Sequence, residues 1–133
     1  MSDISLKDET AIQAVLDRSY RAWAAGDAAG MVAAYTADAT AIMPGSLREG
    51  RHAIRENMAL AFAGPLKGTS IYSKQLCLRF AGDGAAIVVS ESGILFPGQI
   101  DVPDEGKVYA TWVLEKQDGS WKIAAYHNSA VEA

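Results

Sequence analysis

His127 has the side chain in this sequence best suited to proton transfer. It lies in the last strand-like segment, where it alternates with Trp121, Ile123 and Ala125 and so shares one strand face with them. The bulky apolar members of this row should face the helices, and the alternation therefore predicts that the imidazole points into the interior. A histidine held there could act as a general base near neutral pH. The alternative is a core histidine that is satisfied by one hydrogen bond.

Glu91 is the second group that could carry a proton. It alternates with Ile87 and Val89, and if those apolar side chains face the interior, the Glu91 carboxylate is desolvated and suited to proton transfer. If the neighbouring Ser90 faces inward instead, Glu91 lies in solvent or in a subunit interface. Both faces of this segment are apolar, so the sequence leaves the two orientations open.

Tyr20 and Tyr35 fall on the core-facing stripes of the first two predicted helices, where a phenol could donate a hydrogen bond to a ligand carbonyl. The alternative is that both are core tyrosines whose hydroxyl groups reach the rim. Five further large side chains can form either plain core or the wall of a pocket for an apolar ligand: Trp23, Met43, Met58, Phe62 and Trp112.

Arg48, Arg51 and His52 follow the first predicted strand and could meet an anionic tail at the mouth of such a pocket. The alternative is ordinary surface charge in contact with solvent. The single cysteine, Cys77, excludes an intramolecular disulfide, and its apolar alternating segment predicts a buried thiol.

The elements that must position these side chains begin with three amphipathic helices and a short strand. Gly26 ends the first helix, Asp27 can cap the second, and a turn at Pro44-Gly45 closes the strand. The hydrophobic spacing predicts helices around residues 12–23, 27–35 and 54–62, and a strand at 39–43.

After the third helix the hydrophobic pattern changes from helical to alternating. It predicts four strands, at residues 69–80, 85–96, 107–116 and 121–131. Because helices and strands are segregated along the chain, the pattern favours an α+β fold over a parallel α/β sheet. We expect a single domain over residues 1–133, with a curved antiparallel sheet wrapped around three N-terminal helices to enclose one apolar pocket.

Composition and charge narrow the classes of partner. Of the 133 residues, 50% are hydrophobic and 21% are charged, which is typical of a globular domain large enough to bury a core. The formal net charge of −4 has the wrong sign for binding the phosphate backbone of nucleic acids. No apolar run is long enough to span a membrane, and the N-terminal residues lack the pattern of a secretory signal, so we expect a cytoplasmic protein.

Motifs for cofactors are not found in the sequence. There is no P-loop, no glycine-rich dinucleotide fingerprint, no nucleophile elbow, and no His or Cys pair at metal-ligand spacing. We therefore expect neither a nucleotide cofactor nor a metal, and any catalysis would be acid–base chemistry without a cofactor.

The order of elements, together with several short segments, resembles the nuclear transport factor two-like superfamily. The segments are Trp23-Ala-Ala-Gly26-Asp27, Tyr35-Thr-Ala-Asp38-Ala-Thr, Gly50-Arg51-His52-Ala53-Ile54, and Asp118-Gly119-Ser-Trp121-Lys-Ile123 leading to His127-Asn128-Ser129. Within the superfamily, the sequence most resembles SnoaL-like and SgcJ/EcaC-type small proteins, many of which accompany polyketide antibiotic pathways, and residues 61–68 favour the latter group. The resemblance implies a cone-shaped, cystatin-like α+β barrel; one scaffold of this kind hosts many functions.

The resemblance also implies a pocket for an apolar, polyketide-like small molecule. The protein would be an accessory protein or an acid–base enzyme of the cyclase or isomerase kind, with His127 and Glu91 as proton carriers. The alternative is a non-catalytic association or carrier module. Under either hypothesis we expect a homodimer, because residues 85–89 are apolar on both faces and the face away from the helices also needs cover.

Overall fold

Three α-helices and a six-stranded sheet make up the computed structural model, which describes residues 3–131 and the side chains from Leu6 onward. The predicted α+β class is confirmed. The helices are α1 (Asp3–Ala24), α2 (Ala28–Met31) and α3 (Arg51–Ala63), and a short 3-10 helix covers Asp104–Gly106. The strands are β1 (Tyr35–Met43), β2 (Ser46–Glu49), β3 (Ser70–Phe80), β4 (Ala85–Leu95), β5 (Val108–Gln117) and β6 (Ser120–Ala130).

The sheet has the order β2-β1-β6-β5-β4-β3 and is open, with β2 and β3 as its edges. Its strands pair antiparallel except at one place, where β1 and β6 run parallel. The pairing therefore differs from the wholly antiparallel sheet expected from the sequence. β2 was also missed, since four residues are too few to show a strand pattern; it forms a hairpin with β1 in which Ala41 is opposite Arg48.

One local signal in the sequence acts as expected, and one element boundary does not. Asp27 caps α2, because its carboxylate accepts a hydrogen bond from the backbone N–H of Gly30 at 2.9 Å. α2 is a single turn that ends at Met31, so Tyr35 is the first residue of β1 and not part of the helix. Tyr35 is nonetheless buried, with 2% of its surface exposed.

The core lies between the helices and the inner face of the sheet, and its most deeply buried members include Ile12, Ile54, Leu114 and Ile123. A polar contact fixes the start of α1 on the β5–β6 hairpin. The carboxylate of Asp8 accepts hydrogen bonds from the indole nitrogen of Trp121 at 2.9 Å and from Nζ of Lys116 at 3.1 Å. These two donors, the Trp121 indole first, hold the pKa of Asp8 below its usual value.

One extra residue in β6 decides which side chains of that strand face the interior. Leu114 of β5 is opposite Ile123, but the preceding Val113 is opposite Ala125, so Ala124 has no partner and forms a β-bulge. Because side chains alternate between the two faces of a strand, the extra residue reverses the alternation beyond it. Trp121 and Ile123 point toward the helices before the bulge, and the even-numbered residues of β6 do so after it.

No helix in the described part of the chain is both long enough and apolar enough to cross a membrane.

Candidate functional site

A cavity of about 560 Å³ lies between the helices and the inner face of the sheet. It is lined by α1, the end of α2, α3, and all six strands, and most of the lining is apolar. Pro44, Phe96 and Gly106 line the cavity and are also exposed, which places its mouth between the β1–β2 turn and the connection from β4 to β5. The volume is within the usual range for sites that hold a small organic molecule.

Most of the side chains predicted as pocket wall do line this cavity. The six are Tyr20, Trp23, Tyr35, Met43, Met58 and Trp112. The seventh, Phe62, lies behind the wall: its ring packs edge-on against Trp23, with ring centroids 5.3 Å apart. Because Trp23 also donates from its indole nitrogen to the hydroxyl of Thr69 at 2.9 Å, its ring orientation is fixed on two sides.

His127 does not point into the cavity, so the predicted orientation of its imidazole is wrong. The bulge at Ala124 lies between Ile123 and His127 and reverses the alternation on which the prediction was based. His127 is exposed on the outer face of the sheet, opposite Thr111 of β5 and Ile42 of β1. Its place on the inner face is taken by Tyr126 and Asn128, which both line the cavity.

Glu91 also lies on the outer face, which is the second of the two orientations that the sequence left open. Val88, Ser90 and Ser92 of β4 are buried on the inner side, while the Glu91 carboxylate accepts a hydrogen bond from the Tyr72 hydroxyl at 3.2 Å. The expectation that Cys77 is buried is wrong as well. Its thiol is exposed on edge strand β3, because Cys77 is opposite Val89 on the same outer face.

Two buried polar atoms in the cavity wall have no hydrogen bond of acceptable geometry among the described residues: Nε1 of Trp112 and Oδ1 of Asn128. The Trp112 indole is still close enough to the Tyr20 hydroxyl to oppose the rise that burial causes in the pKa of Tyr20, but the contact is not a well-formed hydrogen bond. Trp112 is only 6% exposed. The Asn128 amide nitrogen donates to the Tyr126 hydroxyl oxygen at 2.9 Å, which leaves the Tyr126 hydrogen free for another acceptor. An unpaired polar atom in such a place costs about 1–3 kcal/mol. Trp112 therefore offers a donor, and Asn128 an acceptor, without a well-formed hydrogen bond to the described residues.

These groups are neighbours in the sheet. Trp112 and Tyr126 are directly opposite each other on β5 and β6, and their ring centroids are 4.4 Å apart. Tyr20 approaches Trp112 edge-on from α1, with ring centroids 6.2 Å apart, and its hydroxyl lies 3.2 Å from the Ser73 hydroxyl. Sequence reasoning missed Tyr126 and Asn128, because no period-two pattern shows a bulge in advance.

The phenols of the cavity are neutral at physiological pH. Burial raises the pKa of Tyr20, Tyr35 and Tyr126 above the ordinary value for tyrosine. Each can therefore donate or accept a hydrogen bond but is a poor base. Among the described residues, no Asp, Glu, His, Lys or Cys lines the cavity. The arrangement is suited to holding and orienting a ligand, and it offers no carboxylate or imidazole to remove a proton.

The three residues predicted near the mouth have different surroundings. Arg48 of β2 lines the cavity, where it donates to the sulfur of Met58 at 3.3 Å. Arg51 donates to the backbone carbonyl of Tyr35 at 3.1 Å, so it is tied to the scaffold. His52 lies on the exposed side of α3 beside Glu56, with 3.0 Å between Nε2 and Oε1. Within residues 3–131, no cluster of three His, Cys, Asp or Glu could hold a metal ion.

Comparisons with known proteins agree with this architecture. Residues 12–132 match the family model of the SnoaL-like domain. A domain of unknown function with a cystatin-like fold from Nostoc punctiforme is 26% identical, with a TM-score of 0.87, over 96% of this chain and 79% of that one. An NTF-2-like protein of unknown function from Shewanella oneidensis is 22% identical, with a TM-score of 0.71, over 92% of this chain and 98% of the other.

A third solved structure is an NTF2-like protein with a cystatin-like fold from Novosphingobium aromaticivorans. It is 17% identical, with a TM-score of 0.78, over 96% of this chain and 84% of that one. No curated protein matches the sequence.

Proposed function

The chain belongs to the SnoaL-like domain family, and from that premise we propose that it binds a small, largely apolar molecule that carries a hydrogen-bond acceptor and a hydroxyl group. The fold and the family support a small-ligand-binding or isomerase-like domain in general terms. The proposal is more specific, and it rests on one observation. On the side of the cavity formed by β5 and β6, which we call the polar wall, Trp112 Nε1 and Asn128 Oδ1 are buried without well-formed hydrogen bonds to the described residues.

A ligand of polyketide type meets the requirements of this wall. Such molecules combine an apolar ring or polyene body with carbonyl and hydroxyl groups, so that a carbonyl can accept from Trp112 and a hydroxyl can donate to Asn128. The resemblance of residues 61–68 to SgcJ/EcaC-type proteins favours an accessory role in a polyketide pathway of this kind. Because His127 and Glu91 lie outside the cavity, the proposed role is to bind, shield and orient the ligand rather than to move its protons.

Replacement of Asn128 by leucine tests the polar wall. 2-Naphthol can donate a hydrogen bond to Oδ1, whereas 2-methoxynaphthalene cannot. We expect the natural protein to bind 2-naphthol with a Kd on the order of 10–100 µM, and Asn128→Leu to weaken that binding about tenfold, because one hydrogen bond is lost. Its affinity for 2-methoxynaphthalene should not change. Isothermal titration calorimetry measures all four values.

The same substitution should leave the ligand-free protein as stable or more stable. Leucine removes an unpaired buried acceptor at the expense of one bond to the Tyr126 hydroxyl, and these two effects are of similar size. Asn57→Leu, on the exposed side of α3, is the matched control and should leave both affinities unchanged. If neither naphthalene binds to the natural protein, the proposal of an apolar ligand site is wrong.

A second candidate function is a homodimeric association module that uses the outer face of the sheet. That face presents Ile42 and Tyr109, which are 41% and 45% exposed, beside half-buried Val89. A second copy of the chain could cover it face to face. We expect a dimer at micromolar concentration in sedimentation equilibrium, and Thr111→Lys, which puts a charge in the middle of this face, should give monomers. Leu60→Lys on α3 is the control, and a monomeric natural protein would contradict the proposal.

A further inference from the structure

The cavity contains one cation, Arg48, and no described carboxylate accompanies it. Arg48 donates from Nη1 to the thioether of Met58 at 3.3 Å, and it forms no ion pair with any acidic side chain described between residues 6 and 131. A thioether is a weak acceptor, and a guanidinium has five N–H donors in a planar fork. The adjacent acid, Glu49, is exposed on the opposite side of β2, because neighbouring residues of a strand point to opposite faces.

The sheet register places Arg48 in one row with the polar wall. Arg48 is opposite Ala41, Ala41 is opposite Tyr126, and Tyr126 is opposite Trp112. All four residues line the cavity, so their side chains lie on the same face. Neighbouring strands are about 4.8 Å apart, which puts the backbones of Arg48 and Tyr126 about 10 Å from each other. The residue between them is an alanine, so no side chain larger than a methyl group separates the guanidinium from the phenol.

The donors of this row outnumber its acceptors. Arg48, the Trp112 indole and the free hydrogen of the Tyr126 hydroxyl can all donate, whereas Asn128 Oδ1 is the one unpaired acceptor that the structure identifies there. The excess donors include one positive charge, on Arg48, and they are surrounded by an apolar lining. Since the chain as a whole has a net charge of −4, the attraction for an anion has to come from this local group and not from the field of the entire protein.

We infer that the ligand is an organic acid whose carboxylate binds Arg48 while its apolar body fills the cavity. The inference rests on the proposed function and names the ligand class for the same site. A carboxylate carries one negative charge and two oxygens in a plane, which match one guanidinium fork. A phosphate monoester carries a charge of about −1.5 to −2, and no second cation from the described part of the chain lines the cavity to balance it.

Two naphthalene probes of nearly equal shape test the inference: 2-naphthoate, which is ionised at pH 7, and 2-naphthamide, which is neutral. We expect the natural protein to bind 2-naphthoate about tenfold more tightly than 2-naphthamide, a difference typical of one charge-assisted contact. Arg48→Gln should remove the preference by weakening 2-naphthoate alone. Arg55→Gln, on the exposed side of α3, is the matched control and should retain it.

2-Naphthol distinguishes failure of this inference from failure of the proposed function. If 2-naphthol binds but 2-naphthoate has no advantage over 2-naphthamide, the ligand is neutral and the inference is wrong while the pocket stands. If the advantage exists but survives in Arg48→Gln, the carboxylate binds elsewhere and the inference is again wrong. If none of the three probes binds, both proposals fail. Retained binding of 2-naphthol by Arg48→Gln shows that the variant is folded.

Discussion

Replacement of Tyr126 by alanine is expected to weaken binding of 2-naphthol about tenfold and to lower the melting temperature by about 10 °C. Tyr126 lies on the inner face of β6, opposite Trp112 of β5, and lines the cavity. The interior would lose the Tyr126 ring, which packs on Trp112 with ring centroids 4.4 Å apart. Loss of a buried aromatic side chain costs about 3 kcal/mol or more. Circular dichroism during heating and calorimetry measure the two effects.

Leu60→Ala, on the exposed side of α3, is the control for this substitution. Its melting temperature and its affinity for 2-naphthol should stay close to those of the natural protein. A Tyr126→Ala variant that binds 2-naphthol with unchanged affinity would show that the Tyr126 ring does not form part of the binding site.

Ala41→Trp should weaken 2-naphthol binding about 100-fold, or about 2.8 kcal/mol. Ala41 lies on the cavity floor in β1, between Arg48 and Tyr126, and is 5% exposed. An indole at this position would project into space that is otherwise open, so it would occupy the place of the ligand. Because it adds apolar contacts without displacing a well-packed neighbour, the melting temperature should be equal or higher. Calorimetry and thermal melting of the same sample test both statements.

Thr40→Trp is the matched control for the blocked cavity. It adds the same ring to the next residue of β1, whose side chain is on the outer face, opposite Ala125. Binding of 2-naphthol should be unchanged in this variant. Equal losses of affinity in Ala41→Trp and Thr40→Trp would mean that the probe does not bind in the cavity.

The sequence was sufficient for the elements whose signals are local. The apolar spacing of α1 and α3, the cap at Asp27 and the alternation in β4 and β5 all depend on neighbouring residues, and all are found in the structure. β3 is found as a strand, but its alternation is interrupted at Leu76, which has no partner in β4. β2 escaped prediction because its four residues show too little alternation. The parallel pairing of β1 with β6 escaped because it joins distant segments, and no local pattern reports such a contact.

The candidate site was predictable in its wall but not in its polar groups. Large apolar side chains such as Met58 and Trp112 are buried in almost any packing of these elements, and so they were found. The inward direction of His127 was wrong because period-two reasoning assumes that every residue of a strand is paired. Ala124 breaks that assumption because it has no partner in β5. Tertiary packing decides that Ala125 is paired and Ala124 is not.

The parallel seam between β1 and β6 also sets the order in which the protein can fold. It joins residues 35–42 to residues 123–127, more than 80 positions further along the chain. Closing so long a loop costs chain entropy before any contact compensates for it, whereas the β3–β4 and β5–β6 hairpins close short loops. The floor of the cavity straddles this seam, with Ala41 on one side and Tyr126 on the other. A compact intermediate that has only the hairpins therefore has no binding site, and a ligand stabilises the native state alone, by mass action.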